Sequence, residues 1–277
     1  MAIGELTERF ERREDLTVTN IHGMPVYIDK EKRVCPTTTG IIDRLESEGK
    51  IRPPLYSTDG ISRTTDRPGV VRWYARLVGE WVHERIAGKV DDDYEADIDG
   101  IRKQIAECEG VGADHDTVRN TIYNYRGGSN VRTRVVDQAE DDVDALVDTW
   151  VDWWGRQHQN VIAAELRLIG RGIVHGQRVF YGVRPDLLAE HRFPNDDEVV
   201  AVCLKATSRI TDAHRMQAVA TLHSTGYIDR AVIVRLDRER RWAETEEITE
   251  DDYLAEPYMS LYSGFLEEVL STYRALN

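Results

Sequence analysis

Residues 198–207 read EVVAVCLKAT. Val199 to Val202 are apolar or small, and Asn195-Asp196-Asp197 supplies a turn before them, so the run predicts a short buried strand. Successive side chains on a strand point to opposite faces, which puts Cys203 and Lys205 on one face and Leu204 on the other. A buried strand that ends with an ammonium beside a thiol needs a reason. The simplest is that the strand reaches solvent there. Lysine usage argues against it: of the 36 basic residues, 30 are Arg and six are Lys, and Lys205 is the one lysine in the 174 residues after Lys103. Where the chain elsewhere uses a forked guanidinium, it keeps here a compact point charge, which suits a place beside a metal ion or a phosphate.

The 277 residues suffice for one large domain or two small ones with a real core. Fifty acidic residues against 36 basic ones give a formal net charge of −14. Such acidity ordinarily argues against nucleic acid. High Asp and Glu with scarce Lys, however, resembles the composition of proteins from organisms that keep molar salt in the cytoplasm. On that reading the acidity serves solvation, and a DNA-binding surface is a local Arg patch. The three cysteines, Cys35, Cys108 and Cys203, are far apart and lack CxxC spacing. They support neither a structural zinc site nor an iron–sulfur cluster, and they fit a reducing, cytoplasmic setting. The start, MAIGELTERFERRED, has no apolar core and reads as no signal peptide, and no stretch approaches a membrane span.

Outward from the opening strand, residues 16–34 predict a hairpin with a turn at His22-Gly23. CPTTTGIID leads into a short helix over about 40–48, and 50–66 is a polar loop. RPGVVRWYARLVGEWVHERIAG (67–88) predicts a helix with Pro68 in its first turn and Gly88 as a stop. Residues 89–135 read as a helical excursion that ends in the loop YRGGSNVR. A long helix follows over 135–158, with Trp150, Trp153 and Trp154 and the distant Trp242 expected in the core. VIAAELRLIG (161–170) and QRVFYGVRPDLLAE (177–190) predict two strands of a meander and EVVAVCLKAT a third. TDAHRMQAVATLHST (211–225) is a helix, YIDRAVIVRLD (227–237) a strand, and 258–276 a helix whose Leu261, Phe265, Val269 and Tyr273 stripe packs on the core. This order predicts an α/β fold with a mixed sheet flanked by helices. The divisions are 1–88, an N-terminal hairpin and helical region; 89–158, a helical insertion and long helix; 159–240, the core; and 241–277, a C-terminal helical tail.

Five pieces taken in order carry a resemblance: His83 in GEWVHERIAG, Glu165 in AAELRLIG, Asp186 in GVRPDLL, Lys205 in AVCLKAT and Gln217 in HRMQAVATL. Their order and context resemble the PD-(D/E)XK nuclease superfamily, in particular its RecB-like branch, over about residues 16–237, with no counterpart for 89–135. The resemblance implies a restriction-endonuclease-like sheet and a metal-dependent DNA nuclease, with single strands or ends as substrate. It also implies a Mg²⁺ or Mn²⁺ site formed by His83, Asp186, Glu165 and the backbone carbonyl of Leu204. Lys205 would act on the water or on the developing phosphate charge, and Gln217 would position a phosphate or Lys205. Such a cation takes oxygen ligands, with imidazole better tolerated by Mn²⁺. Gly79 and His83 are an i, i+4 pair and share a helix face.

The chain departs from the pattern at its centre. The carboxylate of the (D/E)xK strand is missing, and Cys203 stands in its place. A neutral thiol is a poor ligand for Mg²⁺, and a thiolate prefers softer ions. Glu198 is five strand residues upstream and out of reach, so Glu165 on a neighbouring strand is the better substitute. Three readings follow. The first is a working nuclease that tolerates Cys203. The second is a catalytically degenerate nuclease-fold protein acting as a DNA-binding or assembly module. The third is an unrelated mixed α/β protein, in which His83, Asp186 and Lys205 do not converge.

Overall fold

A computed structural model describes residues 16–51, 67–125, 134–157, 159–192, 197–238 and 240–276. The N-terminal MAIGELTERFERRED, nearly all of the 50–66 loop, the YRGGSNVR loop past Tyr125 and the Asn195-Asp196 part of the predicted turn lie outside the described residues.

EVVAVCLKAT forms the middle strand of a five-stranded sheet. The order is β10 (Trp242–Thr249), β9 (Arg230–Asp237), β8 (Asp197–Lys205), β7 (Leu187–Arg192) and β4 (Gln159–Ala164). β8 and β9 run parallel, and the other neighbours are antiparallel. The parallel pair needs a crossover, which α6 (Asp212–Leu222) supplies. The sheet is mixed and has helices on both faces, the α/β arrangement the sequence predicts.

Burial on both faces explains the near-continuous apolar run in β8. Val199, Ala201 and Cys203 enter one core with α1 (Thr38–Ser47), α6 and α8 (Tyr258–Leu276). Val200, Val202 and Leu204 enter the other, beneath α2 (Pro68–Val90), α3 (Ile98–Ala106), α4 (His115–Tyr125) and α5 (Val135–Trp154). Phe265 and Val269 of the α8 stripe are fully buried. The excursion expected over 89–135 contains α3 and α4, which pack on α2.

Three expectations change. The runs 161–170 and 177–190 are not single strands of one meander. Each is cut in two: β4 and β7 stay in the central sheet, while β5 (Leu168–Val174) and β6 (Gln177–Val183) leave it as a separate hairpin. The cuts have a backbone cause. Glu165 adopts a left-handed conformation, φ 52°, and Pro185 has no amide to donate to a ladder. The Glu165 amide donates to the Asp186 carbonyl at 3.0 Å and closes the neck between the two cuts. Second, the tail from 241 is not wholly helical. Residues 242–249 form the edge strand β10, with Ala243 and Ile248 inward and charged side chains between them, followed by α7 (Glu250–Tyr253) and α8. Third, Trp242 on that strand is 52% exposed, whereas Trp150 and Trp153 are buried. The expected N-terminal hairpin is present as β1 (Thr17–Ile21) and β2 (Met24–Ile28), and β3 (Val34–Pro36) adds a third strand. Among the described residues no helix is long and apolar enough to cross a membrane.

Candidate metal centre

The end of β4, the start of β7 and the end of β8 meet at one edge of the central sheet, and α2 passes over it. Pairing of Ala164 with Leu187 and of Leu187 with Val202 fixes the register. Glu165 and Asp186 are the residues just outside that ladder. Asp91, immediately after α2, accepts the Ala164 amide at 3.1 Å and ties the helix to the end of β4. The convergence of His83, Glu165, Asp186 and Lys205 is therefore a product of strand register and one helix tether.

Asp186 is the hub. His83 Nδ1 lies 2.9 Å from its Oδ1. The Leu204 amide donates to its Oδ2 at 2.5 Å, and Lys205 Nζ lies 3.8 Å from the same oxygen. Glu165 Oε1 is 3.9 Å from His83 Nδ1, and Arg184 Nε is 2.8 Å from Glu165 Oε2. One ligand atom from each of His83, Glu165 and Asp186 falls within 4.8 Å of the others. Leu204 is beyond the last β7–β8 pair, and a strand residue's amide and carbonyl project from the same edge. With its amide on Asp186, its carbonyl also leaves β8 on the β7 side.

Burial and charge set the protonation states. Burial opposes ionisation of Asp186, but His83, Lys205 and the Leu204 amide outweigh it and hold the carboxyl well below the usual carboxylate range. Burial raises Glu165 to about 7, with the Asp186 charge adding to the rise and Arg184 and His83 opposing it. Burial works against a cationic His83, yet the Asp186 carboxylate more than compensates and the imidazole pKa is raised. Two carboxylates thus sit close together in a largely dry place, one ionised and the other forced toward its neutral form. A divalent cation relieves that conflict, and a set of two carboxylates and one imidazole suits a hard or borderline ion.

Two of the predicted residues fall outside the group. Cys203 is fully buried in the core under α6 and α8, and burial pushes its thiol up to about 12. It is a neutral core residue on the same face of β8 as Lys205, near enough for the Lys205 and Asp186 charges to act on it, and its sulfur is not one of the clustered ligand atoms. Gln217 is half-buried on α6, and among the described residues its side chain makes no hydrogen bond to the cluster.

Sequence reasoning misses Arg184 and His214. Arg184 neutralises Glu165 from the residue before Pro185; the charge pattern RPD was the available signal. His214 is buried in the first turn of α6, where its Nδ1 accepts the Thr211 amide at 3.2 Å. Burial, with the Lys205 and Arg215 charges added, drives its pKa down to about 3, so it stays neutral. The T-x-x-H spacing at a helix start was its signal.

No family model matches the chain, and no curated protein matches it. Solved structures do. The chain is similar to an alkaline exonuclease (LHK-Exo) from Laribacter hongkongensis, over 63% of this chain and 89% of that one, at 16% identity and a TM-score of 0.31. To the same exonuclease in complex with dAMP the figures are 74%, 95%, 15% and 0.32. To SSO0001 the chain is similar over 50% of its length at 14% identity and a TM-score of 0.30, and the match spans 64% of SSO0001.

Proposed function

We propose that the chain is a metal-dependent DNA nuclease of the PD-(D/E)XK kind, RecB-like in the order of its motifs. One observation carries the reading: His83, Glu165 and Asp186 present ligand atoms within 4.8 Å of one another, with Lys205 on the same Asp186 carboxylate. His83, Asp186, Glu165 and the Leu204 carbonyl would hold Mg²⁺ or Mn²⁺, the imidazole favouring Mn²⁺. When bound, the ion supplies Lewis acidity toward the phosphodiester and lowers the pKa of water. The protein's own part is positional. Asp186 holds Lys205 and His83 at fixed distances, Arg184 keeps Glu165 in place, and Lys205 stands ready to stabilise charge on a phosphate oxygen. The halophile-type composition points to action in concentrated salt, and the three buried free thiols to the reducing interior of a cell.

A second reading has its own observation. Cys203, in the place of the usual carboxylate, is a buried neutral thiol, which favours a nuclease-fold module that binds DNA without cutting it.

The deciding experiment is DNA cleavage in molar KCl with Mg²⁺ or Mn²⁺, comparing the natural protein with Cys203→Asp and Lys205→Ala, beside calorimetric Mn²⁺ binding by the natural protein and Asp186→Ala. Cleavage that disappears in Lys205→Ala, with Mn²⁺ binding that disappears in Asp186→Ala, supports the nuclease. Silence in the natural protein with cleavage by Cys203→Asp supports the binding module. Absence of Mn²⁺ binding at millimolar metal removes the metal centre.

A further inference from the structure

Glu165 turns its two oxygens to different neighbours. Oε1 faces His83 Nδ1 at 3.9 Å, within the cluster, and Oε2 faces Arg184 Nε at 2.8 Å. Oε2 is buried and makes no directed hydrogen bond, so the contact with Arg184 is one of charge. The Arg184 side chain is 53% exposed and that of Glu165 is 5%: a cation reaches in from the surface to a buried carboxylate. Pro185 keeps the Arg184 backbone extended, and a guanidinium does not lose its charge in the working pH range. A carboxylate shared between two ions about 3.5–4 Å apart is used in this way, with one oxygen given to each. Here the second partner is a side chain.

The charges around the cluster agree. Asp186 and Glu165 contribute two negative charges, and Lys205 and Arg184 two positive ones. One divalent ion already leaves the set positive, since a ligating imidazole is neutral. A second would need further carboxylates, and those next along the chain are engaged. Glu84, beside His83, accepts the Tyr94 hydroxyl and the Asp97 amide, each at 2.8 Å. Asp91 accepts the Ala164 and Asp93 amides, each at 3.1 Å. Among the described residues, no other group of three His, Cys, Asp or Glu side chains brings its ligand atoms within 4.8 Å of one another.

We propose that the centre holds one divalent cation and that the Arg184 guanidinium stands where a second would sit, on the outer oxygen of Glu165. The proposal rests on the metal centre of the nuclease reading and adds its stoichiometry. Two fixed positive charges then flank the ion, Lys205 on Asp186 and Arg184 on Glu165. They offset charge on a phosphodiester as a second ion does in a two-metal site, and neither can dissociate.

The test is titration of Mn²⁺ into the full chain at pH 8, without DNA, into the millimolar range. Bound ions are counted by calorimetry and by loss of the free-ion EPR signal. The natural protein is expected to bind one ion. Arg184→Gln, which removes the charge, is expected to bind two, with the EPR broadening of neighbouring Mn²⁺ ions. Arg184→Lys, which restores the charge without the fork, is expected to return the count to one; a merely structural role for Arg184 would not change the count at all. Arg171→Gln, exposed on the β5–β6 hairpin, is expected to bind one. Two ions in the natural protein, or one ion in Arg184→Gln, overturns the proposal. Two ions in Arg184→Lys overturns it as well, because charge would then not be what excludes the second ion. Absence of Mn²⁺ from every variant removes the metal centre itself and the proposal with it, a result distinct from a wrong count.

Discussion

Replacing Glu165 by glutamine is expected to stabilise the metal-free protein. Glu165 is 5% exposed at its side chain, and burial beside Asp186 raises it to about 7 from an ordinary 4.5. Between those two pH values the folded state still holds a proton that the unfolded chain has released. Stability of the metal-free protein therefore falls as pH rises from 4.5 to about 7 and stays at the lower level above it. At about 1.4 kcal/mol per pH unit the loss is roughly 3 kcal/mol, and so little exposure leaves little solvent screening to reduce it. Glutamine keeps the shape and an acceptor oxygen for Arg184 but never ionises. In EDTA at pH 8, Glu165→Gln is thus expected to unfold up to roughly 6–12 °C higher than the natural protein, at about 2–4 °C per kcal/mol. The two melting curves should converge near pH 4.5. Glu46 is also raised to about 7, by burial and the Asp43 charge, but both proteins share it and it cancels in the difference. Mn²⁺ should reverse the order once it is at about a thousandfold excess over Kd, where the natural protein gains about 4.1 kcal/mol and the variant little. The assay is thermal unfolding from pH 4.5 to 8, with and without Mn²⁺. A variant less stable than the natural protein at pH 8 in EDTA, or parallel pH profiles, refutes the reasoning.

Further outcomes follow from the packing. Cys203 is fully buried with its thiol at about 12, so it should resist alkylation in the native protein at pH 8. Cys203→Ser should cost roughly 1–3 kcal/mol in urea unfolding; Cys203→Asp should cost more in EDTA and recover part of that in Mn²⁺. At Gly182 an added Cβ would lie 2.5 Å from the Tyr27 ring. Gly182→Ala should therefore lower stability by roughly 1–3 kcal/mol while leaving Mn²⁺ affinity unchanged, as read by urea unfolding and calorimetry.

What the sequence revealed and what it hid have physical explanations. β8 was legible because a strand buried on both faces is a continuous β-branched run, and Lys205 because lysine is scarce around it. The α2 helix was legible from helical periodicity between Pro68 and Gly88, and α8 from its Leu261, Phe265, Val269 and Tyr273 stripe. The break at Glu165 was not legible, because a single residue at positive φ leaves no periodic trace, whereas the break at Arg184–Asp186 had a visible signal in Pro185 that reading 177–190 as one strand passed over. β10 was hidden by its charges: with only Ala243 and Ile248 turned inward, an edge strand that guards itself with Glu side chains reads as solvated chain. The sequence order of His83, Glu165, Asp186 and Lys205 anticipated residues that do converge. It could not separate Cys203 from them, since alternation tells which residues share a face but not which core that face enters.

The neck between β4 and β7 also governs how the molecule can be altered. The hairpin from Leu168 to Val183 packs into the core with α1, α6 and α8, and its base is clamped by the Glu165 amide on the Asp186 carbonyl and by the Ala164–Leu187 pair. The spacing of the two carboxylates is set at that clamp and not by the hairpin's length. Residues added at the exposed His175-Gly176 turn would leave the two carboxylates where they are, which makes that turn the place to graft a reporter or a second binding module.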